Sequence, residues 1–405
     1  MKRRLGLILT ILSVAGICFF TLRHGDAEIT HPWSFYITAG EAALAELIQN
    51  LLLFIPLGVG LVALLPRRPI TSVFIGTAFS FAIEFAQQWI PGRDPSVGDI
   101  VCNAISTALG VLLVVAAPQW LFAPPRRSAW QALATAILAV GAWTFTGVMV
   151  QHQVTPQPYH VLLNPDFDHF GLYRGNVVKV TPGIGSLEVT AVAAPHPPGR
   201  VSPLFAVVDK DTNKIIMLSV DGRDLTLLYY SPALRWTLEQ PDLRLRNGMQ
   251  NVAPGDTFTA ATWHDSTNVC LRVNTTERCH LGYTVGDGWK LIYYPAGRAP
   301  WIMGTLNLLW MAGCVAGVGF WAARGRRGEA AATDDGGARP RGLAIALVIA
   351  GLLMVPLITG LKPTPVTEWI GTLVGLGGGY FVGNRTLKGF WDGLRRRDDL
   401  PNRPA

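Results

Sequence analysis

Six side chains between residues 50 and 103 carry the groups from which a polar site can be built: Asn50, Glu84, Gln87, Arg93, Asp99 and Asn103. Two carboxylates in one poorly hydrated place can bind hydroxyls, share a proton, hold a metal ion, or act as acid and base. An arginine fork suits an anionic group such as a phosphate, and side-chain amides both donate and accept. Spacing sorts the six. Glu84 shares a helical face with Gln87 or Gln88, and Asp99 shares one with Asn103 at i, i+4. Arg93 stands between them in the tight loop Pro91-Gly92-Arg93-Asp94-Pro95-Ser96-Val97-Gly98.

The elements that position these groups are membrane helices. Of 405 residues only 15% are charged, against about 25% in an ordinary soluble domain, while 50% are hydrophobic and the mean hydropathy is +0.31. Apolar content this high excludes disorder for most of the chain. Apolar runs fall at 5–22, 46–65, 70–90, 99–117, 129–150, 301–323, 342–361 and 366–384. Each is long enough to cross a hydrocarbon core of about 30 Å as a helix. The first follows Lys2-Arg3-Arg4 with no small-x-small cleavage site after Phe20, and reads as a retained signal anchor. Linkers between the runs are short and rich in proline.

Sidedness follows from the basic residues. With the N-terminus in the cytoplasm, that side carries 18 Lys and Arg, against three (Arg23, Arg93 and Lys362) in the short outer loops. Both termini are then cytoplasmic and residues 151–300 extracytoplasmic, in a multi-pass protein of the cell inner (cytoplasmic) membrane. The formal charge of +7 is accounted for by this asymmetry, and no nucleic-acid partner is expected. On this topology Glu84 lies about 9 Å below the outer surface at about 1.5 Å per residue. Asn50, Asp99 and Asn103 come near the same level.

Residues 151–300 have another texture. Short apolar or aromatic stretches alternate with turn residues: Ser186–Ala193, Leu204–Asp209, Ile215–Val220, Leu225–Tyr230, Thr257–Trp263, Val269–Asn274 and Lys290–Tyr294. That pattern is an all-β sandwich. Val180 to Gly185 reads as a turn. Cys270 and Cys279 flank Asn274-Thr275; if these two form a hairpin turn, the cysteines face each other across the ladder and a disulfide follows, which an oxidising exterior preserves. Cys18, Cys102 and Cys314 fall in membrane helices as small apolar residues. The expected fold is a polytopic α-helical membrane protein of about eight transmembrane helices with an inserted, jelly-roll-like β-sandwich. Its units are a five-helix transmembrane domain (1–150), the sandwich (151–300), a three-helix segment (301–384) and a basic cytoplasmic tail (385–405).

Polar groups at this depth have two readings. In one, Arg93 pairs with Glu84 or Asp99 and the amides bridge helices. In the other, Asn50, Gln87, Arg93 and Asn103 bind a ligand at an outward-facing site, with Glu84 and Asp99 as candidate catalytic groups. The order Asn50-x3-Phe54-x-Pro56-Leu57-Gly58, Ile83-Glu84-x2-Gln87, Arg93, Asp99-x3-Asn103 and Gly110 resembles the VanZ-like membrane family over residues 30–120. Ser106 departs from it, standing where the family usually has glycine. The resemblance implies a bacterial integral membrane protein; the family's namesake is associated with reduced susceptibility to a glycopeptide antibiotic.

The strand–Trp263–strand–Asn274 pattern resembles laminin-G-like and concanavalin-A-like sandwiches, which implies binding of glycans, sometimes with calcium. Trp236, Trp263, Trp289, Tyr229, Tyr230, Tyr293 and Tyr294 are candidates for stacking on sugars or for the sandwich core. Asp209, Asp211 and Asp221 offer oxygens for calcium or turns for the chain. No phosphate loop, dinucleotide fingerprint or thiol–histidine spacing occurs, so no cofactor and no metal are expected. The partners expected are membrane lipid, a cell-wall or lipid-linked glycan, and another membrane protein. The function expected is that of an envelope protein with a glycan- or protein-binding ectodomain. The alternative is a membrane enzyme acting on lipid-linked sugar or phospholipid head groups. Gly371, Gly375, Gly379 and Gly383 form a stripe for close helix packing, with Gly313 and Gly317 as the expected counterpart.

Overall fold

The computed structural model describes residues 2–23, 42–93, 95–153, 158–167, 170–183, 185–210, 214–265, 268–326 and 338–385. The basic tail beyond Arg385, together with Asp94 and Asp211, lies outside them. Among the described residues seven stretches are long and apolar enough to cross a membrane. They are α1 (Lys2–Thr21), the broken pair α2 (Ala43–Leu53) and α3 (Ile55–Leu64), α4 (Pro69–Gln87), α5 (Val97–Val115), α7 (Pro125–Met149), α9 (Pro300–Arg326) and α10 (Ala338–Thr359). Short α6 (Ala117–Leu121) precedes α7, and α8 (Pro232–Arg235) is a single turn within the segment 151–300. The eighth expected span is α11 (Val366–Asn384), a helix of 19 residues whose glycines and Glu368 dilute its apolarity.

The break at Phe54 has a local cause. Pro56 has no N–H to offer Leu52, so the helix cannot run through. Close packing follows from glycine. In the first bundle Gly60 lets α3 approach Thr10 of α1, while a side chain at Gly58 or Gly110 would strike the carbonyl of Thr107 or Ile55 between α3 and α5. In the second, Gly371, Gly375, Gly379 and Gly383 of α11 lie against the backbone of Leu308, Ala312, Ala316 and Phe320 of α9. The stripe is as expected, but its counterpart is different: Gly313 faces open space and Gly317 faces Thr135 of α7. Packing also moves a boundary. The fifth span, α7, packs on α9 and α10 and so joins the C-terminal helices, leaving α1 to α5 as a unit.

Two five-stranded antiparallel sheets make the inserted sandwich. One has the order β1 (Tyr159–Leu163), β4 (Ser202–Asp209), β5 (Lys214–Asp221), β6 (Asp224–Leu228), β7 (Leu243–Leu245). The other runs β10 (Thr276–Leu281), β9 (Asn268–Val273), β8 (Thr257–Asp265), β3 (Ser186–Val192), β2 (Asn176–Gly183). Six of the seven expected strands are present. The seventh is corrected: residues 285–291 form a 3-10 turn, started by a capping box in which Thr284 and Asp287 bond each other's backbone. The segment read as a turn at Val180 is the end of β2, and the turn comes at Gly185, φ +67°. Cys270 and Cys279 are joined as a disulfide, with Asn274 at φ 50° in the hairpin and Val273 opposite Thr276.

The sandwich is tied to helix ends of both bundles. Leu44 N and Gln49 Nε2 of α2 donate to the carbonyls of Thr237 (3.0 Å) and Ile292 (2.7 Å). Tyr229 Oη donates to Val150 O at 2.7 Å, just past α7, and Lys362 N to Tyr283 O at 2.8 Å, just past α10. Because Gly6 of α1 lies beside Ala63 of α3, and α11 runs parallel to α9, the start of α1 and the end of α11 lie away from the sandwich.

Candidate functional site

The polar residues of the first bundle meet where α2, α4, α5 and the 91–98 loop converge. Asn50 Nδ2 of α2 donates to Asp99 Oδ1 of α5 at 2.5 Å. Ser96 N donates to Glu84 Oε2 at 2.9 Å, while Ser96 Oγ accepts from Gly98 N at 3.0 Å and caps α5. One turn deeper, Asn103 Nδ2 donates to Ser80 Oγ at 2.9 Å, joining α5 to α4. Glu84 and Asn103 are each only 3% exposed. Gln87 Nε2 donates to Thr21 O at 3.0 Å. Arg93 Nε and Nη2 donate to the carbonyls of Arg23 and Phe20 at 3.0 and 2.8 Å.

The six expected residues therefore divide. Gln87 and Arg93 hold the carbonyls at the end of α1, where a helix has acceptors to satisfy. Asn50, Glu84, Asp99 and Asn103 remain as one acceptor-rich group. Among the described residues, Glu84 Oε1 and Asp99 Oδ2 take no hydrogen bond, and Asn103 Oδ1 is buried without a partner. Sequence reasoning missed Ser80 altogether, and it missed the bonds that Ser96 and Ser106 make. Ser80 lies one turn before Glu84, Ser96 caps α5, and Ser106 bonds both sides of the α2–α3 break. A serine is an unremarkable residue in a helix, and only its i, i+4 relation to Glu84 signalled Ser80.

A second buried carboxylate lies in the other bundle. Glu368, at the start of α11 and 1% exposed, accepts from Thr284 Oγ1, from Gly286 N at 3.0 Å and from Asn307 Nδ2 of α9 at 3.3 Å. Asn307 also accepts from Trp289 Nε1 at 2.8 Å. Asp287, 3.0 Å from Asn307 Nδ2, is paired with Lys290 at 2.5 Å. The three donors on Glu368, together with Trp289 on Asn307, fix the 3-10 turn to α9 and α11, so this group is a joint.

In the sandwich, Arg244 pairs with Asp221 (2.6 Å), Asp224 (3.3 Å) and Asp242 (2.8 Å). Burial pushes the Asp242 carboxyl above its ordinary range, and the Arg244 guanidinium beside it pulls it back. Asp221 is thus committed to an arginine. Most aromatic candidates also have structural work. Trp289 binds Asn307, Tyr229 binds Val150, Tyr294 Oη donates to Asp242 Oδ1 at 2.5 Å, and the Trp263 ring lies under Arg272 at 5.4 Å. Trp236 and Tyr293 are exposed, flanking the Thr237 and Ile292 carbonyls that α2 binds.

Residues 7–120 match the model of the VanZ/LLP1 family. The matched segment is the first bundle, and it takes in α1, which the motifs alone did not include. It is VanZ-like; the match spans less than a third of the chain and does not extend to the sandwich or to α7, α9, α10 and α11. No curated protein and no solved structure matches the chain.

Proposed function

We infer that this membrane protein acts in the cell envelope by binding, at an outward-facing site in its VanZ-like helices, a ligand rich in hydrogen-bond donors. Hydroxyl or ammonium groups of a lipid-linked or cell-wall glycan supply that chemistry. One observation carries the reading: Asn103 Oδ1 is buried without a partner, one turn below Asp99 and joined through Ser80 to the turn below Glu84. A buried acceptor without a donor costs about 1–3 kcal/mol, and a donor brought by a ligand removes that cost. The carboxylates are fixed acceptors, held by Asn50 and Ser96, and this favours binding over acid–base chemistry.

Sidedness supports the same reading. The helix ends away from the sandwich carry the basic excess, and the Cys270–Cys279 bond suits an oxidising compartment. The sandwich is then extracytoplasmic, and both termini are cytoplasmic. Its resemblance to laminin-G-like and concanavalin-A-like domains suits recognition of a glycan or protein beside the membrane. Because most of its aromatic rings are engaged within the protein, that recognition falls to its open edge, where Tyr159, Val161 and Leu163 of β1 are exposed.

The test is mass spectrometry of lipids and glycans co-purifying with full-length protein. The reading expects a glycan-bearing lipid that is retained by wild type and lost from Asn103→Ala and Glu84→Gln at unchanged thermal stability. Variants that retain the same lipids, or that lose the fold instead, would overturn it.

A further inference from the structure

The end of α7 and the second sheet meet at two histidines. His152 lies just past α7, and His264 is next to last in β8. Their ring centroids are 4.8 Å apart with the planes at 50°, and the Tyr229 ring is 5.5 Å from that of His152. Both side chains are exposed, and among the described residues neither makes a hydrogen bond or an ion pair. The two stand far apart in the chain, so no spacing motif announces them.

The backbone around each ring is pinned independently of the other. Tyr229 Oη donates to Val150 O at 2.7 Å and Gln153 N to Tyr230 O at 2.9 Å, which holds His152 from both sides. His264 pairs with Val269 across the β8–β9 ladder, and its N–H donates to Gly185 O at 3.0 Å. Apolar packing is a weak account of two rings that stay in water. Metal binding accounts for them better. An imidazole nitrogen takes a divalent transition metal at about 2.0–2.1 Å, which sets its ring centroid about 3.2 Å from the ion. Two such rings at about 90–110° around one ion have centroids about 4.5–5.2 Å apart, and the observed spacing falls within that interval. Imidazole suits zinc, copper or nickel, whereas magnesium and calcium prefer oxygen ligands.

We propose that His152 and His264 bind one divalent transition-metal ion, each through one imidazole nitrogen, with water in the remaining positions. The bound ion fastens the second sheet to the end of α7. The hydrogen bonds between sandwich and helix ends use Tyr229, Thr237, Tyr283, Ile292 and the 3-10 turn; among the described residues none uses β2, β3, β8 or β9. The site is independent of the polar group around Asp99.

The experiment uses full-length protein in detergent, freed of any histidine tag and stripped with a chelator. Titrated with Cu²⁺ at pH 7.5, wild type should give an electron paramagnetic resonance spectrum with nitrogen coupling from two imidazoles. His152→Ala and His264→Ala should each lose one of the two. Loss of a direct ligand should weaken binding at least as much as loss of an outer partner does, about tenfold. Both rings are exposed, so the variants should keep the wild-type circular dichroism spectrum. His160→Ala, on the exposed strand β1, should bind as wild type does. Zn²⁺ should raise the unfolding temperature of wild type and of His160→Ala but of neither site variant. No Cu²⁺ binding by wild type, two-nitrogen coupling that survives in either site variant, or an equal Zn²⁺ effect in all four proteins would overturn the proposal.

Discussion

Ser106 Oγ accepts a hydrogen bond from Phe54 N at 3.1 Å and donates one to Leu51 O at 2.7 Å, so that a single hydroxyl on α5 serves both sides of the α2–α3 break. Phe54 is fully buried. Ser106→Ala keeps the volume and leaves the Phe54 N–H unsatisfied. The expected loss is about 1–3 kcal/mol, read as a lowered unfolding temperature of the purified protein in detergent. A temperature equal to wild type would mean that the break closes without Ser106.

The two glycine environments of α11 should respond in opposite ways. A methyl at Gly375 would strike the Ala312 carbonyl, whereas one at Gly377 meets open space. Gly375→Ala is expected to separate α9 from α11 and to reduce folded yield in the membrane, and Gly377→Ala to be neutral. Equal yields would show that α11 is not held by its stripe.

Raising the pH should weaken the seam between α2 and the sandwich. Burial, and then the nearby Glu46 carboxylate, push Glu239 up from 4.5 to about 7. An acid whose folded value is raised contributes stability fully present below about pH 4.5 and lost as pH rises through about 7. At roughly 1.4 kcal/mol per unit the ceiling is about 3 kcal/mol, and partial exposure makes the real figure smaller. Thermal unfolding at pH 5 and pH 8 should differ less in Glu239→Gln than in wild type. An unchanged difference would rule out this group as the cause.

Arg244→Leu should damage the sandwich more than an ordinary surface charge change. It strips the shared cation from Asp221, Asp224 and Asp242, and breaking a buried pair from one side costs about 3–5 kcal/mol. The Asp242 carboxyl, already pushed up by burial, then takes a proton more readily. Part of the lost stability should return between pH 7.5 and pH 5. A variant as stable as wild type at pH 7.5 would show that the three carboxylates hold apart unaided.

Much of the candidate site was legible because a carboxylate or amide inside an apolar run is costly and so stands out. Glu84, Asp99, Asn50 and Asn103 were visible for that reason, and Glu368 carries the same mark at the start of α11. What each one bonds was not legible. Arg93 looks like a partner for an acid by charge, and nothing in its spacing shows that it also donates to the carbonyls of Arg23 and Phe20 at the end of α1. Lys290 to Tyr294 alternates like a strand, yet the Thr284–Asp287 capping box and Glu368, 82 residues beyond Gly286, bend the chain there into a turn.

By itself the sequence determined the membrane spans, the sandwich between them and the disulfide hairpin, because hydropathy, period-two alternation and the turn at Asn274 are local. Tertiary structure alone decided that α7 belongs with the C-terminal helices and that α11 lies along α9. Those outcomes depend on which small residues meet across helices far apart in the chain, and an apolar helix offers lipid and neighbour the same surface until glycine lets one backbone come close.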